Sequence, residues 1–248
     1  MLYPFILTTL AGMATMIGTI PIFVKIKNTD NLIAGACAFA SGVMICVSIF
    51  DLIPEAINYL RDSYIGILVI LITFIGIVIG MYISYGMDKI IDRVSTGNNL
   101  FKVGILSMIV IILHNIPEGI VTYIVSNKNI MLGISICIAI ALHNIPEGIS
   151  IAIPIYYATG SKIKAILYTL VSALSELGGA IITYLFLGRY ISDKILGVLF
   201  SFIAGIMIQI AFSKLLPTGR EYNIKMTRLF FILGMVVMMI SLIINRIV

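Results

Sequence analysis

The chain has 248 residues, 60% of them apolar and 11% charged, with a mean hydropathy of +1.15 and a formal net charge of +5. A soluble domain carries about 25% charged residues, so this composition excludes a water-soluble globular protein and indicates a polytopic membrane protein. The basic residues are scattered over short loops instead of forming one stripe, which speaks against nucleic acid as a partner.

Apolar stretches of about 17 to 25 residues can cross a hydrocarbon core as helices. Eight are predicted, at roughly Leu2 to Val24, Leu32 to Ile57, Tyr64 to Met87, Val103 to Val125, Ile130 to Tyr156, Ile163 to Leu187, Ile195 to Leu216 and Leu229 to Ile244. The expected fold is all-α, one transmembrane domain over residues 1–248. The first segment is too long for a signal-peptide core and has no basic stretch before it, so it reads as a retained span. The loops after spans 1, 3, 5 and 7 hold Lys25, Lys27, Lys89, Arg93, Lys102, Lys162, Lys164, Lys214, Arg220, Lys225 and Arg228, eleven of the sixteen basic residues. The other side has Arg61, Lys128, Arg189, Lys194 and Arg246. By the positive-inside tendency both termini are extracytoplasmic, in a plasma or inner membrane.

Cys37, Cys46 and Cys137 lie inside apolar spans with no CxxC spacing and read as small core residues. No GxxxxGK[ST] phosphate loop, strand-borne GxGxxG or HExxH is present, so nucleotide-driven pumping and gluzincin-type proteolysis lack their usual signatures.

The only two histidines, His114 and His143, open the same hexapeptide, HNIPEG, repeated 29 residues apart in spans 4 and 5. A histidine and a glutamate four apart share one helix face, which pairs His114 with Glu118 and His143 with Glu147. The turn between the spans is predicted at Ser126 to Asn129, and each histidine lies roughly 20 Å from it at 1.5 Å per residue. The two motifs therefore meet at one depth, with Glu118 toward the turn and Glu147 away from it, around a common volume. Pro117 and Pro146 lack an N–H, free the carbonyls of Leu113 and Leu142, and are expected to kink their helices, as broken transporter helices do. Ionised glutamates in a bilayer cost ~2.5 to 3.5 kcal/mol each even on insertion scales, so packing alone is a poor explanation and a divalent metal a good one. Glu176, deep in span 6, is a third such carboxylate. Its neighbours Gly178 and Gly179 are expected to permit close helix approach.

A second repeat appears at an offset of 163 residues, where Gly42, Met44, Asp51 and Pro54 correspond to Gly205, Met207, Lys214 and Pro217. Spans 2 and 7 run in opposite directions, so similar sequences there imply an inverted repeat of helices 1–3 and 6–8 around the central helix 4–5 hairpin. Met44 and Met207 sit near mid-span, where a thioether can add a soft contact to a metal or simply fill space. Asp51 and Glu55 lie on nearly one face toward the outside, positioned to draw cations into a vestibule.

Together these residues resemble the ZIP (Zrt/Irt-like) metal-ion transporters, particularly the bacterial branches, over essentially the whole chain. The resemblance implies a binuclear centre, with His114, Glu118, His143 and Glu147 as the first site and Met44 able to touch it. Asn115, Asn144 and Glu176 are implied as the second, bridged by Glu118 and Glu147. It also implies that a bundle of helices 1, 4, 5 and 6 slides as an elevator against helices 2, 3, 7 and 8. Two features depart from the family: the loop predicted over Asp88 to Phe101 contains no histidine, and Lys214 stands where many relatives carry an acid on the cytoplasmic exit route. Such a cation would either repel the metal or pair with an acid.

Imidazole, carboxylate and carboxamide ligands suit Zn²⁺ and also Fe²⁺, Mn²⁺, Co²⁺ and Cd²⁺, whereas Mg²⁺ and Ca²⁺ want all-oxygen shells. The expected function is import of Zn²⁺ or a similar divalent ion without ATP. Its partners are the ions and the lipid bilayer, with a homodimer left open, and it uses no cofactor. A rival reading, an intramembrane zinc hydrolase with an open water position, fits the inverted repeat poorly, so no enzyme is expected. A metal-sensing scaffold would need an output domain that the short loops do not offer. Because the ligands must be deprotonated, uptake should fall as pH drops from about 7 to about 5.5; a flux assay in which the rate rises steadily over that interval would contradict this.

Overall fold

Hydrocarbon offers backbone N–H and C=O groups no water, so each span must satisfy its own polar groups, and a helix does so. In the computed structural model, which describes residues 2–24, 27–94, 98–187 and 192–247, eight helices are long and apolar enough to cross a membrane, and no strand occurs among the described residues. They are α1 (Tyr3–Phe23), α2 (Thr29–Arg61), α3 (Gly66–Val94), α4 (Asn99–Lys128), α5 (Ile130–Thr159), α6 (Lys162–Phe186), α7 (Asp193–Tyr222) and α8 (Ile224–Ile247). Lys25 and Arg189, which enter the charge count above, lie outside the described residues, as does the side chain of Arg246.

Each predicted span falls on one helix, and most helices run past the predicted ends because polar caps, not hydropathy, set them. Side-chain oxygens of Asn28, Asn98, Asn129, Ser161 and Asn223 accept the N–H groups of Asn31, Phe101, Met131, Lys164 and Met226 at 2.9–3.3 Å. Helix α5 stops at Gly160, whose φ of 67° is the left-handed conformation that ends helices. The loops shrink accordingly. A single residue, Asn129, joins α4 to α5 in place of the predicted Ser126–Asn129 turn, and α3 continues through Asp88, so most of the segment predicted as the Asp88–Phe101 loop is helical.

The helices form two groups: α1 and α4 each pack on α5 and α6, while α2 packs along α8 and α3 along α7. The groups meet where α2 lies on α5 and α7 on α4. Of the most apolar stretch of α2, 83% is buried, against 22% in α3 and 17% in α8, so α3 and α8 have long apolar sides that the other described residues leave uncovered.

The inverted repeat is visible in the backbone. Helix α2 widens into a π turn at Ser48–Leu52 and α7 does so at Ala211–Leu215, the same 163-residue offset seen in the sequence, and Pro54 and Pro217 follow at matching positions. Such insertions concentrate at functional sites. Here the Ser41 hydroxyl donates to the Ala211 carbonyl at 3.0 Å, tying the two repeats together. Gly42 rests on the Phe231 carbonyl of α8 and Gly205 on the Ile77 carbonyl of α3, close approaches that a side chain would block.

Helices α4 and α5 are α-helical through Pro117 and Pro146, so neither proline interrupts its helix. A proline removes one donor, and the surrounding contacts hold the helix: Gly179 of α6 packs on the carbonyl of Ile116, beside Pro117. Gly178, expected to share that role, faces open space. Irregular backbone is found in the π turns of α2 and α7, in a further π turn at Thr183–Leu187 at the end of α6, and in α1, whose second half, Ala14–Phe23, winds as a tight 3₁₀ helix.

Candidate metal centre

Because α4 and α5 are joined by one residue, the two HNIPEG copies are held antiparallel at a common depth. The rings of His114 and His143 lie 6.0 Å apart, both all but fully buried. Glu118 comes between them: its Oε1 is 3.1 Å from His114 Nε2 and 3.0 Å from His143 Nε2. Glu147 Oε1 lies 3.6 Å from His114 Nε2 on the other side. His114, Glu118 and His143 each offer one ligand atom within 4.8 Å of the others, a spacing that a single cation can span.

The neighbouring asparagines build a second polar layer. Asn144 Nδ2 donates to Glu176 Oε2 at 3.0 Å and to the Ala11 carbonyl at 2.9 Å, and Asn115 Nδ2 donates to the Ser172 carbonyl at 3.3 Å. The site thus draws on α1, α4, α5 and α6, all in one helix group. Among the described residues, Asn115 Oδ1, Asn144 Oδ1, Glu118 Oε2, Glu147 Oε2 and Glu176 Oε1 are buried without a hydrogen-bond partner. Unsatisfied buried acceptors are costly, and several carboxylate and amide oxygens beside two imidazole nitrogens are the donor set that borderline divalent ions prefer.

A cavity of about 180 Å³ opens from the side of the chain termini down to this cluster, lined by Asp51, Glu55, Tyr59, Phe200, Glu118 and His143. Asp51 and Glu55 therefore share a vestibule with two of the candidate ligands. Tyr59 and Phe200 stack at 5.7 Å beside them. At the opposite end a second cavity of about 150 Å³ contains Lys214 and Asp88, whose Nζ and Oδ1 are 2.6 Å apart. Of the two alternatives open for Lys214, the structure realises pairing with an acid. Met44 and Met207 are fully buried in the apolar core. Cys37, Cys46 and Cys137 are buried free thiols, and Cys137 points its Sγ at the Leu7 carbonyl.

Sequence reasoning missed Ala11, Ser172, Tyr59 and Phe200. Ala11 contributes through a main-chain carbonyl, which no side-chain pattern reveals. Ser172 likewise contributes its main-chain carbonyl, not its side chain. Tyr59 and Phe200 meet only through tertiary packing.

A membrane helix bundle with a buried histidine–glutamate cluster reached by a cavity from one side has the form of an ion carrier. A family model described as ZIP zinc transporter matches residues 98–242. The zinc transporter ZupT of Clostridium perfringens is 37% identical, with 97% of this chain and 95% of that protein covered. The same-named proteins of an Enterobacter species and of Oceanobacillus iheyensis are 35% and 36% identical, with 96% or more of each chain covered. The chain belongs to the ZIP family. It is a multi-pass membrane protein of a transporter family, not an enzyme, and metal ions are the substrates of such proteins, not their cofactors.

The Asn144 amide is the link between α1, α5 and α6 at this depth. Asn144→Leu removes the donor to both Glu176 and Ala11 and should lower the stability of the metal-free protein by ~1–3 kcal/mol. Thermal melting in detergent with chelator present checks this, and an unchanged midpoint would count against the network.

Proposed function

We propose that this protein imports Zn²⁺, or a divalent ion of similar coordination chemistry, across the plasma (inner) membrane by alternating access without ATP hydrolysis. The observation that carries the proposal is the convergence of His114, His143 and Glu118 within ligand reach, beside buried oxygens that lack partners. His114, Glu118, His143 and Glu147 bind the first ion in this reading. Asn115, Asn144 and Glu176 supply oxygens to a second, with Glu118 and Glu147 between them and Met44 offering a soft contact.

The excess of Lys and Arg in the loops after helices 1, 3, 5 and 7 supports extracytoplasmic termini. The cavity containing Asp51, Glu55, Glu118 and His143 is then the outer vestibule. No candidate ligand is among the residues lining the cavity at the other end, so this conformation corresponds to an outward-facing state. Transport follows if α1, α4, α5 and α6, which carry the ligands as one group, shift against α2, α3, α7 and α8 until the site opens to the cytoplasm. The inverted repeat supports this, because two related halves can exchange conformations around one site. The name that the relatives carry, zinc transporter, favours Zn²⁺ among the ions the donor set accepts.

Purified protein in vesicles loaded with a metal-sensitive dye gives the test. Wild type should admit Zn²⁺ down its gradient without nucleotide, and Glu118→Ala and His143→Ala should each reduce influx to the level of empty vesicles. Wild-type-like flux in both variants would end the proposal.

A further inference from the structure

The two cavities sit at opposite ends of the molecule and differ in charge. The one at the terminal side is lined by Asp51, Glu55 and Glu118, with no lysine or arginine among the described residues of its wall. The other is lined by Asp88, Glu221, Lys102 and Lys214, so its formal charges balance. The inverted repeat explains where the difference arises. Asp51 is the fourth residue of the π turn in α2, and Lys214 is the fourth residue of the π turn in α7. The same backbone device projects an acid into one vestibule and a cation into the other.

The lysine does not stand apart in its cavity. Its Nζ is 2.6 Å from Asp88 Oδ1, and the two side chains are 23% and 13% exposed. Partial enclosure strengthens the pair relative to a fully solvated one. A carboxylate beside a departing divalent ion is a ligand that slows its departure, and an ammonium already bound to that carboxylate competes for it. We propose that Lys214 is a positioning residue of the exit cavity: by holding Asp88 it keeps this carboxylate from capturing the metal and so lowers metal affinity on its side of the protein.

This inference rests on the transport reading above. If the acid-lined cavity admits the ion, the charge-balanced one releases it, and the chain has an affinity gradient built into pseudo-equivalent positions. A staple that only fastened α3 to α7 would predict a loss of stability from breaking the pair, with no change in affinity confined to one side.

The test measures Zn²⁺ flux in vesicles of defined orientation, with metal offered from either side. Lys214→Gln should raise the apparent affinity for Zn²⁺ presented on the Lys214 side by about tenfold and lower the maximal influx, leaving the affinity on the Asp51 side within about twofold. Lys214→Arg, which keeps the charge, should behave as wild type. In the Lys214→Gln/Asp88→Asn double variant the gain should disappear. Should Lys214→Gln fail to fold, Asp88→Asn alone decides: affinity on that side should stay at or below wild type, and a rise would overturn the proposal. It is overturned equally if Lys214→Gln leaves that affinity unchanged, or if the gain persists in the double variant. Absence of flux in wild-type vesicles would instead refute the transport reading itself.

Discussion

Everything else in this structure depends on three carboxylates, Glu118, Glu147 and Glu176, buried at the centre of a protein otherwise made for hydrocarbon. Among the described residues the hydrogen-bonding and ionic partners of Glu118 and Glu147 are histidines, and that of Glu176 is an asparagine, so no lysine or arginine there discharges them. A fixed cation there would make a stable core. Imidazoles and amides make one that is compatible with a mobile divalent ion, which would complete the cluster in the proposed function.

The fold answers that constraint by concentrating the candidate ligands in one helix group and the apolar support in another. Asn129 joins α4 to α5 so tightly that the two hexapeptides can only meet in mirror order, which sets Glu118 and Glu147 on opposite sides of the histidines. Around this hairpin the repeated halves contribute equivalent packing, with Gly42 on α8 and Gly205 on α3. Their π turns aim Asp51 and Lys214 at opposite ends. The halves match in backbone and differ in charge, and the difference runs along the route an ion would take.

Much of this was legible in the sequence because the bilayer imposes simple patterns. Eight apolar runs located eight helices, and the spacing of His114 and His143 from the turn placed both at one depth. The offset repeat located the paired positions in α2 and α7, but the pattern Gly42–Met44–Asp51–Pro54 gave no hint that the helix widens into a π turn there. That α4 and α5 run on through Pro117 and Pro146 was not legible, because a lost donor is a local property, whereas helix continuity depends on neighbours such as Gly179, remote in sequence. Helix ends were misjudged because asparagine caps contribute nothing to hydropathy. The Asp88–Lys214 pair was invisible for a related reason: Asp88 read as a loop residue, and only the extension of α3 brings it within reach of α7.

The most direct measurement is X-ray diffraction from crystals of the protein grown with Zn²⁺, recorded above and below the zinc absorption edge. The account predicts an anomalous peak bounded by the Nε2 atoms of His114 and His143 and the carboxylate of Glu118, with Glu147 adjoining. Zinc bound at full occupancy elsewhere, with no peak between those two histidines, would contradict it.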